Sequence, residues 1–235
     1  MAASNTYLFI LCPPYSGSTI LWKLVATSAA VSSLPSEGQF LPEVQAQMRE
    51  RPWDATRVLP WAQIKAVWDG YWDHDKSFLL EKSPPNLIRT DAIRQHFQPL
   101  RFLLMVRDPY AHCEGLMRRN GWDAQRAAEF SVRCLRQQAT NATTLPDSLA
   151  FTYEALADDP QSIARRIEAF LPGLGALNAT DRFEADSIDG LVDRPILNLN
   201  DRKLEQLSPD TLQQINGVLS RHVDALQHWG YELRN

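Results

Sequence analysis

The sequence predicts a single α/β domain over residues 1–235, built in three layers with a central parallel sheet flanked by helices. Three observations predict it. Short apolar runs rich in β-branched and aromatic residues recur along the chain, each followed by a polar turn and then by apolar residues at helical spacing. These runs are unbroken by polar residues, as strands covered on both faces must be. A chain of 235 residues, 44% of them hydrophobic, also buries a full core without its composition forcing a division into two domains.

The first run, "TYLFILC", stops at Pro13 and Pro14 and reads as strand one. From Gly17 the pattern changes, because Ile20, Leu21, Leu24 and Val25 recur at helical spacing. The alternation returns in "SFLLEKSPP" followed by "NLIRTDAIRQHF", and again in "RFLLMVRDP" followed by a long helical stretch beginning near Pro109. "SLAFTYEAL" supplies the fourth strand. Asp159-Pro160 and Ser208-Pro209 each start a helix with a cap and a proline at its first position. The last helix carries Leu212, Ile215, Leu219, Val223 and Leu226 as one stripe. Between Pro42 and Lys76, Trp53, Trp61, Trp68 and Trp72 mark a helical segment packed over the sheet, and the last three suit core packing better than a substrate platform. Residues 178–207 read as a loop that shapes a pocket.

The net charge of −4 argues against a general nucleic-acid surface, which needs clustered Lys and Arg. Cys12, Cys113 and Cys134 form no close pair with metal-ligand or redox spacing, and a reducing, cytoplasmic location follows as the expectation. The apolar run at residues 7–12 is too short for a membrane span or a signal segment. Each of the five histidines stands without a second ligand at metal spacing, and His112 is expected to be structural.

Ligands of open parallel sheets sit at the carboxyl ends of the strands. After strand one comes Tyr15-Ser16-Gly17-Ser18-Thr19, where Gly17 lets the backbone approach closely and the first-turn N–H groups face an anion, as in a P-loop. The turn is no Walker loop, since that pattern demands an earlier glycine and a lysine. Its plain alternative is a strand-to-helix turn capped by serine. After the "RFLLMV" strand, Arg107-Asp108-Pro109 places an arginine at the sheet edge, suited to a phosphate or else to a surface acid.

Those two motifs, in this order and about ninety residues apart, resemble the sulfotransferase family, which transfers a sulfuryl group from 3'-phosphoadenosine-5'-phosphosulfate (PAPS); the motifs are nearest to its tyrosylprotein-type and bacterial members. "PYSGST" is similar to the family's "P-[KR]-S-G-T-T", with Tyr15 in place of the basic residue and Ser18 in place of a threonine. The resemblance implies that Tyr15, Ser16, Gly17, Ser18 and Thr19 hold the 5' end of the nucleotide. "VRDPYAHCEGLMRR" resembles the 3'-phosphate element, with Arg107 on the motif arginine, Gly115 where the family has a serine, and Arg119 where the tyrosylprotein enzymes carry a second arginine. "FTYEALADDP" is similar to "Y-E-x-L-x-x-x-P" and makes Tyr153 a nucleotide neighbour. "SEGQFLPE" resembles the region carrying a catalytic glutamate and implies Glu37 as the base, against a solvated loop carboxylate. "LLEKSPPN" resembles the "K-x-P" element and implies Lys82 as the cation at the sulfuryl group, against a surface lysine paired with Glu81.

The resemblance thus implies sulfuryl transfer from PAPS to a hydroxyl or amine of a small-molecule, saccharide or peptide acceptor, without a metal. Two other readings stand beside it: a sulfotransferase-like domain that binds an adenine nucleotide with weakened turnover, and a metal-dependent P-loop kinase of a small metabolite, which the absent Walker lysine disfavours.

Overall fold

The structure, a computed structural model, describes residues 5–234. Five strands, β1 (Thr6–Leu11), β2 (Val31–Ser33), β3 (Phe78–Glu81), β4 (Leu100–Val106) and β5 (Ser148–Thr152), form one sheet in the order β2-β3-β1-β4-β5. Every pairing in it is parallel. The sheet is covered on both faces. Along β1, Leu8 and Ile10 join one core with α1 (Ser18–Val25) and with α7 (Tyr153–Asp158) and α8 (Pro160–Phe170). Tyr7, Phe9 and Leu11 point the other way, into a core shared with α2 (Pro42–Arg49), α3 (Trp61–Tyr71) and α4 (Thr90–His96). This period of two, with both faces apolar, is the physical reason for the uninterrupted hydrophobic run. A third core joins α5 (Pro109–Asn120) and α6 (Ala124–Thr144) to the C-terminal helices.

The predicted helix starts are present. Asp108 caps α5 by accepting from the Tyr110 and Ala111 amides, Asp159 caps α8 through the Ser162 amide, and Ser208 caps α10 (Pro209–Leu219) through the Thr211 amide. Trp61, Trp68 and Trp72 are core residues, and Trp68 stacks among Phe9, Trp61, Trp72 and Phe97.

The structure differs from the sequence reading at three places. A fifth strand, β2, lies at the sheet edge; three half-buried residues carry too little periodicity to announce it, and its register against β3 decides it. Residues 178–207 are not a plain loop but hold the antiparallel hairpin of β6 (Arg182–Ser187) and β7 (Gly190–Pro195) and the short helix α9 (Asn200–Leu204). Alternating buried Phe183 and Ala185, followed by Asp189-Gly190 with Gly190 at φ +78°, were the available hairpin signal. The last helix is broken by a 3₁₀ turn at Ser220–His222, and α11 (Val223–Gln227) continues after it. No helix among the described residues is long and apolar enough to cross a membrane.

Candidate active site

The carboxyl ends of all five strands converge on one cleft. From β1 the chain runs to the β2 edge, returns to β3 and then crosses β1 to reach β4 and β5 on its other side, which opens a crevice where the strand order reverses. A cavity of about 650 Å³ fills that crevice, lined by Tyr15, Gly17, Ser18 and Thr19 after β1, Glu37 after β2, Pro84 after β3, Arg107 after β4 and Tyr153 after β5.

Gly17 caps α1 at φ +87°, and no side chain takes the cap position, which sets aside the serine-capped turn. At the first turn the Ile20 and Leu21 amides donate to the Gly17 carbonyl at 3.0 and 3.2 Å, while those of Ser18 and Thr19 precede the first intrahelical bond and stand beside the cavity. A side chain at Gly17 is excluded twice over: the left-handed backbone disfavours it, and a Cβ would lie 2.5 Å from Cδ2 of Tyr153. Ser16 is fully buried beneath the turn. Tyr15 adopts φ +59°, a strain of about 1–2 kcal/mol for a non-glycine residue. Its phenol donates to Oδ1 of Asn120 at 2.7 Å, so the ring leans toward the end of α5.

Arg107 is 5% exposed, yet no carboxylate among the described residues pairs with it. Its Nε donates to Oδ1 of Asn200 at 2.8 Å, its Nη1 to the Tyr15 carbonyl at 3.3 Å, and the guanidinium lies 3.9 Å from the centroid of the Tyr153 ring. Nη2 is buried without a hydrogen-bond partner among the described residues. A relay fixes this arrangement: Asn200 Nδ2 donates to Glu154 Oε1 at 2.6 Å, and Tyr231 donates to Glu154 Oε2 at 2.7 Å. The orphaned Nη2 in a cleft beside a helix N-terminus fits an anionic oxygen. Tyr153 in turn donates to the Leu197 carbonyl at 3.0 Å, which anchors the chain after β7 over the site.

Glu37 and Lys82, 45 residues apart, form an ion pair of 2.6 Å with side-chain exposures of 20% and 7%. Lys82 therefore pairs with Glu37 and not with Glu81, and Glu37 is held rather than free in solvent. Glu81 is the unforeseen element of this group. Fully buried, it accepts from the amides of Gly38 and Ser83, the hydroxyl of Ser83 and Nδ2 of Asn86. Burial pushes its carboxyl up to about 7, against the pull of those donors. By gripping Gly38 and Ser83 it fixes the neighbours of both Glu37 and Lys82. Trp68 adds a bond from Nε1 to the Gly38 carbonyl at 3.2 Å. Glu81→Gln sets an amide NH₂ against these donors and is expected to cost about 2 kcal/mol of stability, measured by urea unfolding, together with a fall in turnover.

Arg119 closes α5 and meets Asp186 of β6 at 2.5 Å, with both side chains about 40% exposed. Both line the cavity, so an anion reaching Arg119 competes with the hairpin's carboxylate. His112 is buried, its Nδ1 is 3.0 Å from the Ser131 hydroxyl, and burial followed by Lys203 and Arg107 pushes its pKa down to about 3; it is neutral.

Lys203, absent from the sequence reading, also lines the cavity. Its Nζ donates to the Ala111 carbonyl at 3.1 Å and stands 2.9 Å from Glu114 Oε2. No local pattern marks it: α9 is five residues long, and only its packing against α5 brings the ammonium to the site.

The sulfotransferase domain of the Synechococcus PCC 7002 olefin synthase superposes with a TM-score of 0.57 at 19% identity, over 92% of this chain and 95% of that one. The sulfotransferase domain from the curacin biosynthetic pathway gives 0.55 at 20% identity, over 98% and 99%. Mouse sulfotransferase SULT7A1, solved in complex with PAP, gives 0.56 at 10% identity, over 97% and 89%. At these identities the likeness is one of fold. No curated protein sequence matches the chain. The profile described as the Sulfotransferase family matches residues 8–174, from β1 to beyond α8, and on that match the chain belongs to the sulfotransferase family.

Proposed function

We propose that the protein transfers a sulfuryl group from PAPS to a hydroxyl or amine of an acceptor, in line and without a metal. The observation that carries this reading is the convergence, in one cavity, of a helix N-terminus after β1, an arginine with a buried unpartnered nitrogen after β4, and a carboxylate after β2.

In the reaction, the acceptor oxygen or nitrogen forms the new bond to sulfur while the bond between sulfur and the 5'-phosphate oxygen breaks, and that oxygen keeps the electron pair. Glu37 takes the acceptor's proton. Ser18 and Thr19 with the first-turn amides hold the 5'-phosphosulfate, and Arg107 holds the 3'-phosphate. PAPS supplies the activated sulfuryl group; the chain supplies position and charge, as in phosphoryl transfer.

The Lys82 ammonium cannot serve Glu37 and the sulfuryl oxygens equally. Its transfer to the sulfuryl side on donor binding frees the Glu37 carboxylate to act as base, so the charge absent at Tyr15 comes from β3. Lys82→Ala is then expected to lower kcat by about 10²–10³ while binding of 3'-phosphoadenosine-5'-phosphate (PAP) is retained; equal loss of both would contradict the assignment.

Phe40, Trp53, Trp122 and Phe130 line the same cavity, with Arg49 stacked on Phe40 at 4.7 Å, which suits an acceptor with an apolar ring and an anionic group. Three buried free thiols fit a reducing cytoplasm. The engagement of Tyr15 by Asn120 and of Lys82 by Glu37 favours, as second reading, a nucleotide-binding domain with weakened turnover. Calorimetric titration with PAP, adenosine 5'-phosphate and ATP in the absence of metal tests the donor. A preference for PAP supports transfer from PAPS and leads to an acceptor screen with labelled donor; indifference to the 3'-phosphate refutes it.

A further inference from the structure

One buried charge takes no part in the reaction described above. Arg89 follows the 3₁₀ turn Pro84–Ile88 after β3, whose two prolines line the cavity. It is 7% exposed, and no carboxylate among the described residues pairs with it. Its Nη2 donates to the Pro52 carbonyl at 2.8 Å, while Nε and Nη1 are buried without hydrogen-bond partners among the described residues. Burial, followed by Arg57, pushes the guanidinium down to about 10, so it keeps its charge at neutral pH. Burying an unpaired cation costs stability, and the contact kept for it is a hold on the loop between α2 and α3.

That loop is held at a second point. Arg133 of α6 donates from Nη2 to the Trp53 carbonyl at 2.6 Å, so two arginines from different elements grip consecutive carbonyls. Arg51, just before them, adopts φ +44°, a left-handed backbone that a non-glycine residue takes only under constraint. What the loop presents is the indole of Trp53. It meets Phe130 edge-on, with centroids 4.8 Å apart at 87°, and Phe130 meets Trp122 in the same way at 5.3 Å and 79°. All three rings are half-buried and line the cavity, whereas Trp61, Trp68 and Trp72 lie inside the core.

The apolar wall begins beside Glu37. Phe40 lies on the 3₁₀ turn that starts at Glu37, and its amide donates to the Glu37 carbonyl at 2.9 Å. Over the Phe40 ring, at 4.7 Å, stands the Arg49 guanidinium, exposed and without a carboxylate partner among the described residues. Aromatic rings, a carboxylate next to them and an exposed cation at the rim complement a planar ring that carries the nucleophile and, away from it, a negative charge.

We propose that the loop between α2 and α3 is a pre-set acceptor wall. Trp53 selects an aromatic acid, whose ring bears the reacting hydroxyl or amine and whose carboxylate meets Arg49, and Arg89 is the positioning residue that holds Trp53 in place. This rests on the sulfuryl-transfer reading for the role of Glu37. It deepens that reading by assigning the residue that selects the ring and a buried cation, outside every recognised motif, that fixes it.

The test is calorimetry of the whole protein, with and without saturating PAP, using three probes: para-hydroxyphenylpropanoate; para-propylphenol, which lacks the carboxylate; and ω-hydroxyhexanoate, which lacks the ring. The aromatic acid is expected to bind about tenfold more tightly than hydroxyhexanoate and about fivefold more tightly than the phenol. Trp53→Ala is expected to weaken the aromatic acid roughly 10- to 100-fold, with PAP and hydroxyhexanoate unchanged, and Arg49→Gln to erase only the difference between acid and phenol. Arg89→Met is expected to weaken the aromatic acid about tenfold with PAP affinity retained, and Arg89→Lys, which keeps one donor for the Pro52 carbonyl, to recover part of the loss. Equal weakening of PAP and the aromatic acid in Arg89→Met overturns its positioning role. In the wild type, equal affinity for the aromatic acid and hydroxyhexanoate overturns the ring site, and equal affinity for acid and phenol overturns the part of Arg49. Those comparisons need no variant and stand if Arg89→Met does not fold. Indifference of the protein to the 3'-phosphate of PAP overturns the donor reading itself and leaves the nucleotide-free acceptor comparison readable, a distinguishable result.

Discussion

Glu37→Gln is expected to reduce kcat by about 10²–10⁴ with PAP affinity unchanged. The substitution is nearly isosteric: the amide oxygen can still accept from Lys82, so the geometry around β2 and β3 persists. What disappears, on the proposed mechanism, is the ability to take the acceptor's proton as the new bond to sulfur forms. Single-turnover transfer from labelled PAPS, set beside calorimetry with PAP, separates the two quantities. A Glu37→Gln protein that transfers at the wild-type rate removes Glu37 from the chemistry and leaves it as the anchor of Lys82 alone. The expectation is specific because Glu37 lines the cavity, whereas Glu81, the other carboxylate of the group, is fully buried and occupied by four donors.

Arg107→Met is expected to lower PAP affinity by about two orders of magnitude or more, since a charge-assisted fork to phosphate is worth a few kcal/mol. It is also expected to lower the melting temperature. The guanidinium is built into the fold through Asn200, the Tyr15 carbonyl and the face of Tyr153, and its removal leaves Oδ1 of Asn200 without its donor. Arg107→Lys retains charge but not the planar fork, so it is expected to recover only part of the affinity. Comparing the two variants by calorimetry and thermal melting divides electrostatic from geometric recognition. Arg107→Met with wild-type affinity for PAP would place the 3'-phosphate elsewhere in the cleft.

The local signals in the chain were sufficient for four of the five strands of the sheet and for the capped helix starts. β1, β3 and β4 are apolar on both faces, and a strand sandwiched between helices has no other way to be written. Asp108-Pro109, Asp159-Pro160 and Ser208-Pro209 fix helix starts by chemistry that acts within three residues. β2 escaped because an edge strand of three residues is defined by its neighbour, not by its own pattern. The β6–β7 hairpin had a signal in Phe183, Ala185 and Asp189-Gly190, but one diluted by exposed charged residues.

The sequence by itself determined which residues stand after β1, β3 and β4, and hence that hydroxyls, Lys82 and Arg107 gather at the carboxyl edge of a parallel sheet, whereas Glu37 was named by the family resemblance and not by its place after β2. The tertiary structure alone decided how they are paired. Glu37 meets Lys82 only because β2 lies beside β3 and Glu81 holds the turns after both. Lys203 reaches the space above Gly115 only because α9 packs on α5. The physical reason is range: capping, strand periodicity and turn chemistry act over a few residues, whereas the partner of a buried charge is chosen by desolvation and packing across tens of residues, which leave no periodic mark on the chain.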